Sequence, residues 1–250
     1  MAVYKSKGIV LRSIRYGEAD RILDLYTRDA GLISAIAKGI RRTKSRFGAR
    51  LEPLSCVDFV AYQGRSLDTV TQAETLRSFH GVRENLARFE AAAGMVGSVR
   101  ALSGGDEADR RVFNLLYNAL DTLEESDSAF ESVEASLGLK LSVLAGYAPQ
   151  LDTCLSCEND LDTAERPLHF APEHGGVLCA GCRSQTGDAF PLAPGTLESV
   201  RALIETPVRE APLQAGPREN VLRVVRSHVL AHAPGNTLVG RGITGTRRPA

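Results

Sequence analysis

The chain has 250 residues, of which 43% are apolar and 24% charged, a composition that excludes a disordered or fibrous protein. Its formal net charge is zero, yet residues 1–51 hold 12 basic and 4 acidic side chains (+8), whereas residues 52–250 hold 18 and 26 (−8). This asymmetry favours an N-terminal end that faces a polyanion. A merely solvated charge run, or an acidic part that recruits a basic partner, is the alternative.

The N-terminal segment predicts neither a secretory signal nor a membrane span, because its apolar run Ile9–Leu11 stops at Arg12. We therefore expect a cytoplasmic protein without a membrane partner. In that reducing compartment the five cysteines favour thiols or metal ligands over a disulfide framework.

Residues 7–77 predict five short strands separated by glycine-containing turns. The predicted strands are residues 8–16, 21–28, 32–38, 55–62 and 67–76. In "CVDFVAY", Val57, Phe59 and Ala61 alternate with polar Asp58, as a half-buried strand requires. Five strands in so short a segment favour the oligonucleotide-binding barrel, or OB-fold, with an SH3-like barrel as the competing architecture.

After Ser78 the apolar spacing changes to three and four residues, which predicts amphipathic helices. The first stripe comprises Val82, Leu86, Phe89, Ala93 and Val96, and further helices are predicted over 112–123, 130–144, 197–204 and 219–231. The sequence thus predicts an α+β multidomain protein. Its parts are an OB-fold domain (1–80), a helical domain (81–150 and 183–235), an inserted module (151–182) and a flexible tail (236–250).

The segment "AKGIRRTKSRFGARLEP" (37–53) follows the third predicted strand and contains six basic residues, with no acid between Asp29 and Glu52. An OB-fold borders its binding groove at such a position, so we predict that these residues bind DNA phosphates. They are Lys38, Arg41, Arg42, Lys44, Arg46 and Arg50. Weaker candidates are Arg12, Arg15 and Arg21, and the aromatic residues Tyr16, Tyr62 and Phe47 are either stacking partners or core.

Four of the five cysteines form a C-x2-C…C-x2-C pattern, namely Cys154, Cys157, Cys179 and Cys182. A hairpin in the 21-residue spacer would bring the two pairs together, and four thiolates would satisfy one structural Zn2+ per chain. His169 or His174 could replace a cysteine, and free thiols or redox disulfides are the alternative to a metal. We expect Cys56, on a predicted strand, to be a small buried hydrophobe.

The sequence patterns that resemble catalytic or nucleotide-binding motifs lack the surrounding residues that those motifs need. "GRGITG" (240–245) has only five residues after it and thus no helix to face a pyrophosphate. His228 and His232 lack the glutamate of H-E-x-x-H, and no Walker A sequence is present. Nothing in the sequence pairs a nucleophile with a base, so we predict that the protein is not an enzyme.

Taken in order, "GEADRILDLYT", "AKGIRRTKSRFGARLEP", "GRSLDTVTQAE", "LAGYAPQLDTCLSC" and "GGVLCAGC" closely resemble the RecO family over residues 3–232, especially its actinobacterial members. The resemblance implies an N-terminal OB-fold, a helical domain and a zinc module. It also implies a non-enzymatic, nucleoid-associated DNA repair protein that binds single- and double-stranded DNA and anneals complementary strands. The partners it implies are RecR, the single-strand-binding protein SSB and, indirectly, RecA.

Two other classes are consistent with the residues. A zinc-ribbon transcription or translation adaptor would use the barrel to bind protein and would not anneal DNA. A zinc hydrolase would need an open metal position. Lys140 and Arg100 are examples of basic residues that could border a pocket for an acidic, apolar-ended SSB peptide.

Overall fold

The computed structural model describes residues 2–43, 45, 47–103, 108–164, 166–211, 217–233 and 244–246. Five strands form the N-terminal part, and all five predicted strands are present. They are β1 (Val3–Tyr16), β2 (Asp20–Thr27), β3 (Gly31–Ala37), β4 (Cys56–Tyr62) and β5 (Asp68–Arg77). The first strand begins at Val3 instead of residue 8, because Val3–Ile9 pairs with β4 before the strand reaches β2.

The five strands pair in a ring. The long strand β1 pairs antiparallel with β4 along its first half and with β2 along its second half. Strand β2 then pairs with β3, β3 pairs in parallel with β5, and β5 pairs with β4, so the sheet returns to β1. This order is that of an OB-like domain.

A small apolar core fills the inside of this sheet. Leu23 and Leu25 of β2, Val57 and Phe59 of β4, and Val70 of β5 belong to it and are at most 1% exposed. Alternate residues of the strands point inward, as the period of two predicts. The outer face of β1, β2 and β4 is also buried, since a second core joins it to helices.

Four helices follow the sheet, and two more come after the cysteine segment. They are α1 (His80–Glu84), α2 (Leu86–Leu102), α3 (Arg110–Glu125), α4 (Phe130–Leu144), α5 (Thr196–Glu205) and α6 (Arg218–Ala231). The core between sheet and helices includes Ile9, Tyr26, Cys56, Met95 and Leu120. Cys56 is 2% exposed, which confirms its prediction as a buried small hydrophobe.

The first predicted helical stripe was wrong at Leu86, which is 72% exposed. The helix breaks at Asn85, whose extended backbone (φ −108°, ψ 119°) separates α1 from α2. Asn85 caps α2 by accepting a hydrogen bond from the Arg88 N–H (3.1 Å), so Leu86 occupies an exposed first turn. The buried face of α2 instead includes Ala92, Met95 and Val99.

The cysteine segment folds as a hairpin that packs against the last helices. Its strands are β6 (His169–Ala171), β7 (Gly176–Leu178) and β8 (Phe190–Pro191). Phe170 and Val177 lie in one apolar cluster with Leu203 of α5 and Val221 of α6. The hairpin therefore shares a core with the helices.

No helix within the described parts of the chain is long and apolar enough to cross a membrane. Most of the predicted tail (236–250) lies outside the described residues. Within it, β9 (Thr244–Thr246) pairs in parallel with Ser13–Arg15 of β1.

Candidate nucleic-acid interface and metal centre

The basic loop, residues 38–54, begins with a turn that is fixed to the β1–β2 connection. The Asp20 carboxylate accepts a hydrogen bond from the Gly39 N–H (2.7 Å), and the Ala19 carbonyl accepts one from the Arg41 N–H (2.9 Å). Gly39 has φ 69°, a conformation that favours glycine. Two turns that are distant in sequence thus form one end of the sheet.

Arg41 strengthens this connection with its side chain. Its Nη1 donates to the carbonyls of Glu18 (2.9 Å) and Gly17 (3.4 Å) while the residue remains exposed. Part of the guanidinium is therefore engaged by the β1–β2 turn. Its charge nevertheless remains at the surface, because carbonyl groups neutralise no formal charge.

Apolar side chains hold the rest of the basic loop. Ile40, Phe47, Leu51 and Leu54 are 9%, 1%, 0% and 0% exposed, and the first three lie in the core inside the sheet. Sequence reasoning left Phe47 open as a stacking partner, and its burial assigns it to the core. While these residues are buried, Arg41, Arg42 and Arg50 between them are exposed.

The predicted phosphate-binding residues differ in their surroundings. Lys38 and Arg42 are exposed and form no ion pair with any residue that the structure describes. Arg50 is exposed, and its Nη1 donates to the Phe47 carbonyl (3.3 Å). Lys44 and Arg46 lie outside the described residues. Lys38, Arg41 and Arg42 therefore share one exposed turn, whereas Arg50 lies at the far end of the loop.

The weaker candidates separate into two groups. Arg21 is half-buried, donates to the Ser13 hydroxyl (3.1 Å) and pairs with Glu52 (3.6 Å), so it supports the loop from below. Arg15 is exposed. Tyr16 and Tyr62 are 44% and 45% exposed and retain a face for stacking.

The two basic residues considered for an SSB peptide are engaged in the fold. Arg100 is 11% exposed in its side chain and pairs with Asp24 of β2 at 3.4 Å, which links α2 to the sheet. Lys140 donates to the Ile204 carbonyl, and burial lowers its pKa. Both side chains therefore have structural partners within the fold.

The four cysteines meet at one point, and among the described residues they form the only cluster suited to a metal ion. Their sulfur atoms all lie within 4.8 Å of one another. The Cys157 and Cys179 sulfurs are 3.8 Å apart. Tetrahedral zinc–sulfur bonds of about 2.3 Å place neighbouring sulfurs about 3.8 Å apart, so the arrangement fits such an ion. Neither His169 nor His174 belongs to the cluster.

Local backbone geometry positions these ligands. Cys154 and Cys157 lie in a turn closed by the pairing of Thr153 with Asp160, and Glu158 takes φ 60° there. Cys179 follows β7, and Cys182 lies in the short 3-10 helix Ala180–Gln185. The Cys179 N–H donates to the Cys154 sulfur (3.4 Å), so the two turns are already hydrogen-bonded.

The electrostatics of the cluster suit a cation. Burial opposes ionisation of Cys154, but the N–H groups of Cys157, Cys179 and Ser156 outweigh it and lower the pKa of this thiol to about 6. At Cys182 a hydrogen bond with Ser156 lowers the pKa, yet the neighbouring Cys179 and Cys157 thiols raise it to about 12. A bound metal ion would supply positive charge that favours the thiolate form of the four cysteines.

Arg201 ties the cysteine segment to α5, a role that no motif in the sequence indicates. Its Nη2 donates to the Leu151 carbonyl (2.6 Å) and its Nη1 to the Asp162 carboxylate (2.7 Å). Both partners flank the first cysteine pair. Only the three-dimensional arrangement reveals such a long-range contact; Asp20, which fixes the basic loop, was missed for the same reason.

Together, the fold and the two sites define a two-part α+β protein: an OB-like sheet displays a basic loop, and a helical part holds a cluster of cysteines that could bind a metal ion. Comparison with known proteins makes the class specific. "Recombination protein O N terminal" matches residues 1–79 and "Recombination protein O C terminal" matches residues 83–238. The chain belongs to the RecO family of DNA repair proteins.

Relatives from several bacteria are similar in sequence to this protein along nearly its whole length. The DNA repair protein RecO of Rubrobacter xylanophilus is 64% identical over 94% of both chains. That of Bifidobacterium longum subsp. infantis is 39% identical over 89% of this chain and 90% of its own. That of Heliobacterium modesticaldum is 35% identical over 98% of this chain and 93% of its own. The family resemblance deduced from the sequence is therefore confirmed.

Proposed function

We propose that the chain is a DNA-binding recombination mediator that anneals complementary single strands and, with RecR and SSB, helps load RecA during recombinational repair. The observation that carries the proposal is the basic loop, whose buried apolar residues and Asp20 hydrogen bond keep Lys38, Arg41 and Arg42 exposed on one turn. Membership of a DNA repair family supports it.

The proposed mechanism is the reduction of repulsion between two DNA strands. The OB barrel would place the basic loop against phosphates of single- or double-stranded DNA, with Lys38, Arg41, Arg42, Lys44, Arg46 and Arg50 as the contacts. Annealing requires charge neutralisation but neither base readout nor ATP. The protein would thus act in the bacterial cytoplasm, on the nucleoid, by binding and not as an enzyme.

In this proposal the four cysteines hold one structural zinc ion. Four sulfur ligands leave no position for water, so such a site does not hydrolyse substrates. The ion would neutralise the thiolates and fix the turn 154–157 against the segment 179–182. Because Cys154 lies in the core shared with α5 and α6, zinc would also stabilise the helical part.

The test is fluorescence-monitored annealing of complementary oligonucleotides coated with SSB. The decisive variant is Lys38→Glu/Arg42→Glu, because both side chains are exposed and neither is ion-paired among the described residues. We expect wild-type protein to accelerate annealing and this variant to lose about tenfold or more of that acceleration. Arg41 is left unchanged, since it also fixes the β1–β2 turn.

The matched control carries the same change of charge outside the basic loop. Arg183→Glu/Arg218→Glu replaces two exposed arginines of the cysteine and helical regions and should anneal normally. If wild-type protein and both variants were all inert, the mediator function would be refuted. Protein binding without annealing would then favour the adaptor.

A further inference from the structure

One edge of strand β5 is open. Strand β4 pairs with β5 from Thr69 to Arg77, but β3 pairs with the opposite edge only at Asp68 and Thr69. From Thr71 onward, no backbone group of the described chain bonds to this second edge. We name residues 71–76 on this side the β5 edge.

The edge is open because of where β3 ends. After Ala37 the chain leaves the sheet and enters the basic loop, whose Phe47 and Leu51 turn inward to fill the core. No strand therefore continues beside β5. What faces the edge is Arg50, across a groove of about 390 Å³ that is also lined by Thr71, Gln72, Ala73 and Glu74.

The β5 edge has the features of a pairing site. Gln72, Glu74 and Thr75 are exposed, and Leu76 is 45% exposed. Natural edge strands are commonly protected by lysine, proline or a bulge. Here the edge contains no lysine or proline, and its register with β4 is regular from Gln72 to Thr75. The register shifts at Thr71 and at Leu76, so bulges bound this stretch and the four residues between them are the ones open to pairing.

We propose that the β5 edge binds an extended peptide strand of a partner protein by strand addition. Main-chain N–H and C=O groups of the peptide would pair with those of β5, as in other cases of β-augmentation. The charges flanking the groove specify the peptide further: an acidic side chain suits Arg50, a basic one suits Glu74, and an apolar one suits Leu76. This inference does not depend on the proposed DNA annealing.

Two observations favour a peptide over a nucleic acid. Glu74 places a negative charge in the groove opposite Arg50, so the groove carries both signs of charge and is not uniformly positive as a phosphate channel would be. Strand β5 also carries no aromatic side chain on which a base could stack. An alternating row of donors and acceptors is complementary to another polypeptide backbone, which presents the same alternation.

The binding test uses the full-length protein and fluorescein-labelled peptides of about ten residues, in which valine and threonine alternate and one glutamate and one lysine are included. The glutamate and lysine are placed in both orders, since the strand can run in either direction. The control peptides have alternate amides N-methylated. We expect one order to bind, with a rise in anisotropy and protection of amides 71–76 from hydrogen exchange, and methylation to weaken binding about tenfold.

Two proline variants locate the site. Amides of neighbouring residues point to opposite sides of a strand, so Gln72→Pro and Ala73→Pro remove one outward and one inward N–H. One of the two variants loses an N–H that points away from β4, toward the open edge. This variant should keep the wild-type unfolding transition and lose peptide binding. Glu90→Lys, on the exposed face of α2, is the control for Glu74→Lys, which should weaken binding.

The proposal is overturned if neither peptide order binds, or if the methylated peptides or both folded proline variants bind like their parents. It is also overturned if an oligothymidylate protects amides 71–76 while the peptides do not, since the groove would then belong to DNA. Protection that grows with protein concentration alone would assign the edge to a second copy of the chain. Failure of strand annealing with intact peptide binding would refute the proposed function alone.

Discussion

The basic loop and the cysteine cluster are both irregular segments, yet they are ordered by different means. The loop is held by buried apolar side chains and by hydrogen bonds to the β1–β2 turn, which leaves its cations at the surface. In the cysteine segment four sulfurs converge, and the neighbouring thiols raise the pKa of Cys182 to about 12. The described part of the loop is thus held by its own packing, whereas the four sulfurs of the cysteine segment converge as a cluster that could hold a metal ion.

The largest effect should follow removal of a metal ligand. If the cysteines hold zinc as proposed, Cys157→Ser or Cys182→Ser removes one of its four ligands, so the bound zinc measured by mass spectrometry should fall from about one to near zero per chain. The midpoint of thermal unfolding should fall by roughly 10 °C. Cys56→Ser is the control, since this buried residue lies outside the cluster. Retention of full zinc by the ligand variants would contradict the assigned site.

Phe47→Ala removes one of the buried apolar side chains that hold the basic loop. Removing a side chain that is 1% exposed should lower the free energy of unfolding by about 3–5 kcal/mol in denaturant titrations. DNA affinity should fall although no charge changes, because the loop loses a buried attachment. Phe47→Leu should restore most of both quantities. Unchanged DNA affinity in a folded Phe47→Ala protein would show that the loop needs no internal support.

A pH effect should be confined to the helical side of the molecule. Burial lowers the pKa of His228 from its usual 6.5 to about 4, the Tyr147 carbonyl within 2.8 Å of Nε2 opposes this shift, and His232 adds to it. Between pH 4 and pH 6.5, His228 therefore binds more protons in the unfolded chain than in the folded protein. This contribution to stability is present above pH 6.5 and is lost as pH falls toward 4, with a total on the order of 3 kcal/mol.

The measurement is the free energy of unfolding from pH 7 to pH 5 for wild-type protein and His228→Gln. Glutamine can still donate to the Tyr147 carbonyl but does not titrate, so the variant curve should be flatter. Parallel curves would show that His228 is already protonated, or equally solvated, in the folded protein.

The smallest expected effect on stability concerns an ion pair that joins the N-terminal sheet to helix α2. Arg100 of α2 and Asp24 of β2 are 11% and 16% exposed in their side chains and lie 3.4 Å apart. A double-mutant cycle with Arg100→Ala and Asp24→Ala should give a coupling of about 1 kcal/mol in denaturant unfolding. Additive effects of the two substitutions would mean that this pair does not couple sheet and helices.

The sequence predicted the strands and helices better than the contacts between them. All five strands and the buried face of α3 follow from spacing, and the four cysteines converge because the hairpin predicted between them forms. Helix α4 is buried on more than an apolar stripe, since Ser132, Glu134 and Ser136 are buried as well. Leu86 was misassigned because a capping residue interrupted an otherwise regular stripe, and a stripe does not reveal a backbone break. Phe47 could not be assigned, since an aromatic in a basic segment suits both stacking and a core.

The missed features are long-range contacts. Nothing local shows that Asp20 fixes Gly39, that Arg201 holds the first cysteine pair, or that α5 and α6 share a core with the hairpin. The β5 edge was hidden for the same reason, because its openness depends on where β3 stops and on how the following loop folds inward. Periodicity reports which face is buried but not which element covers it.

Phosphate binding by the basic loop should be visible in the salt dependence of single-stranded DNA affinity. If all six basic residues contact phosphates, the logarithm of the association constant should fall with the logarithm of salt concentration at a slope of about −4. Lys38→Glu/Arg42→Glu should make the slope shallower by about 1.4 or more, and Cys157→Ser, measured below its unfolding transition, should leave it unchanged. A wild-type slope near −1, or a slope that the loop variant does not alter, would contradict the account.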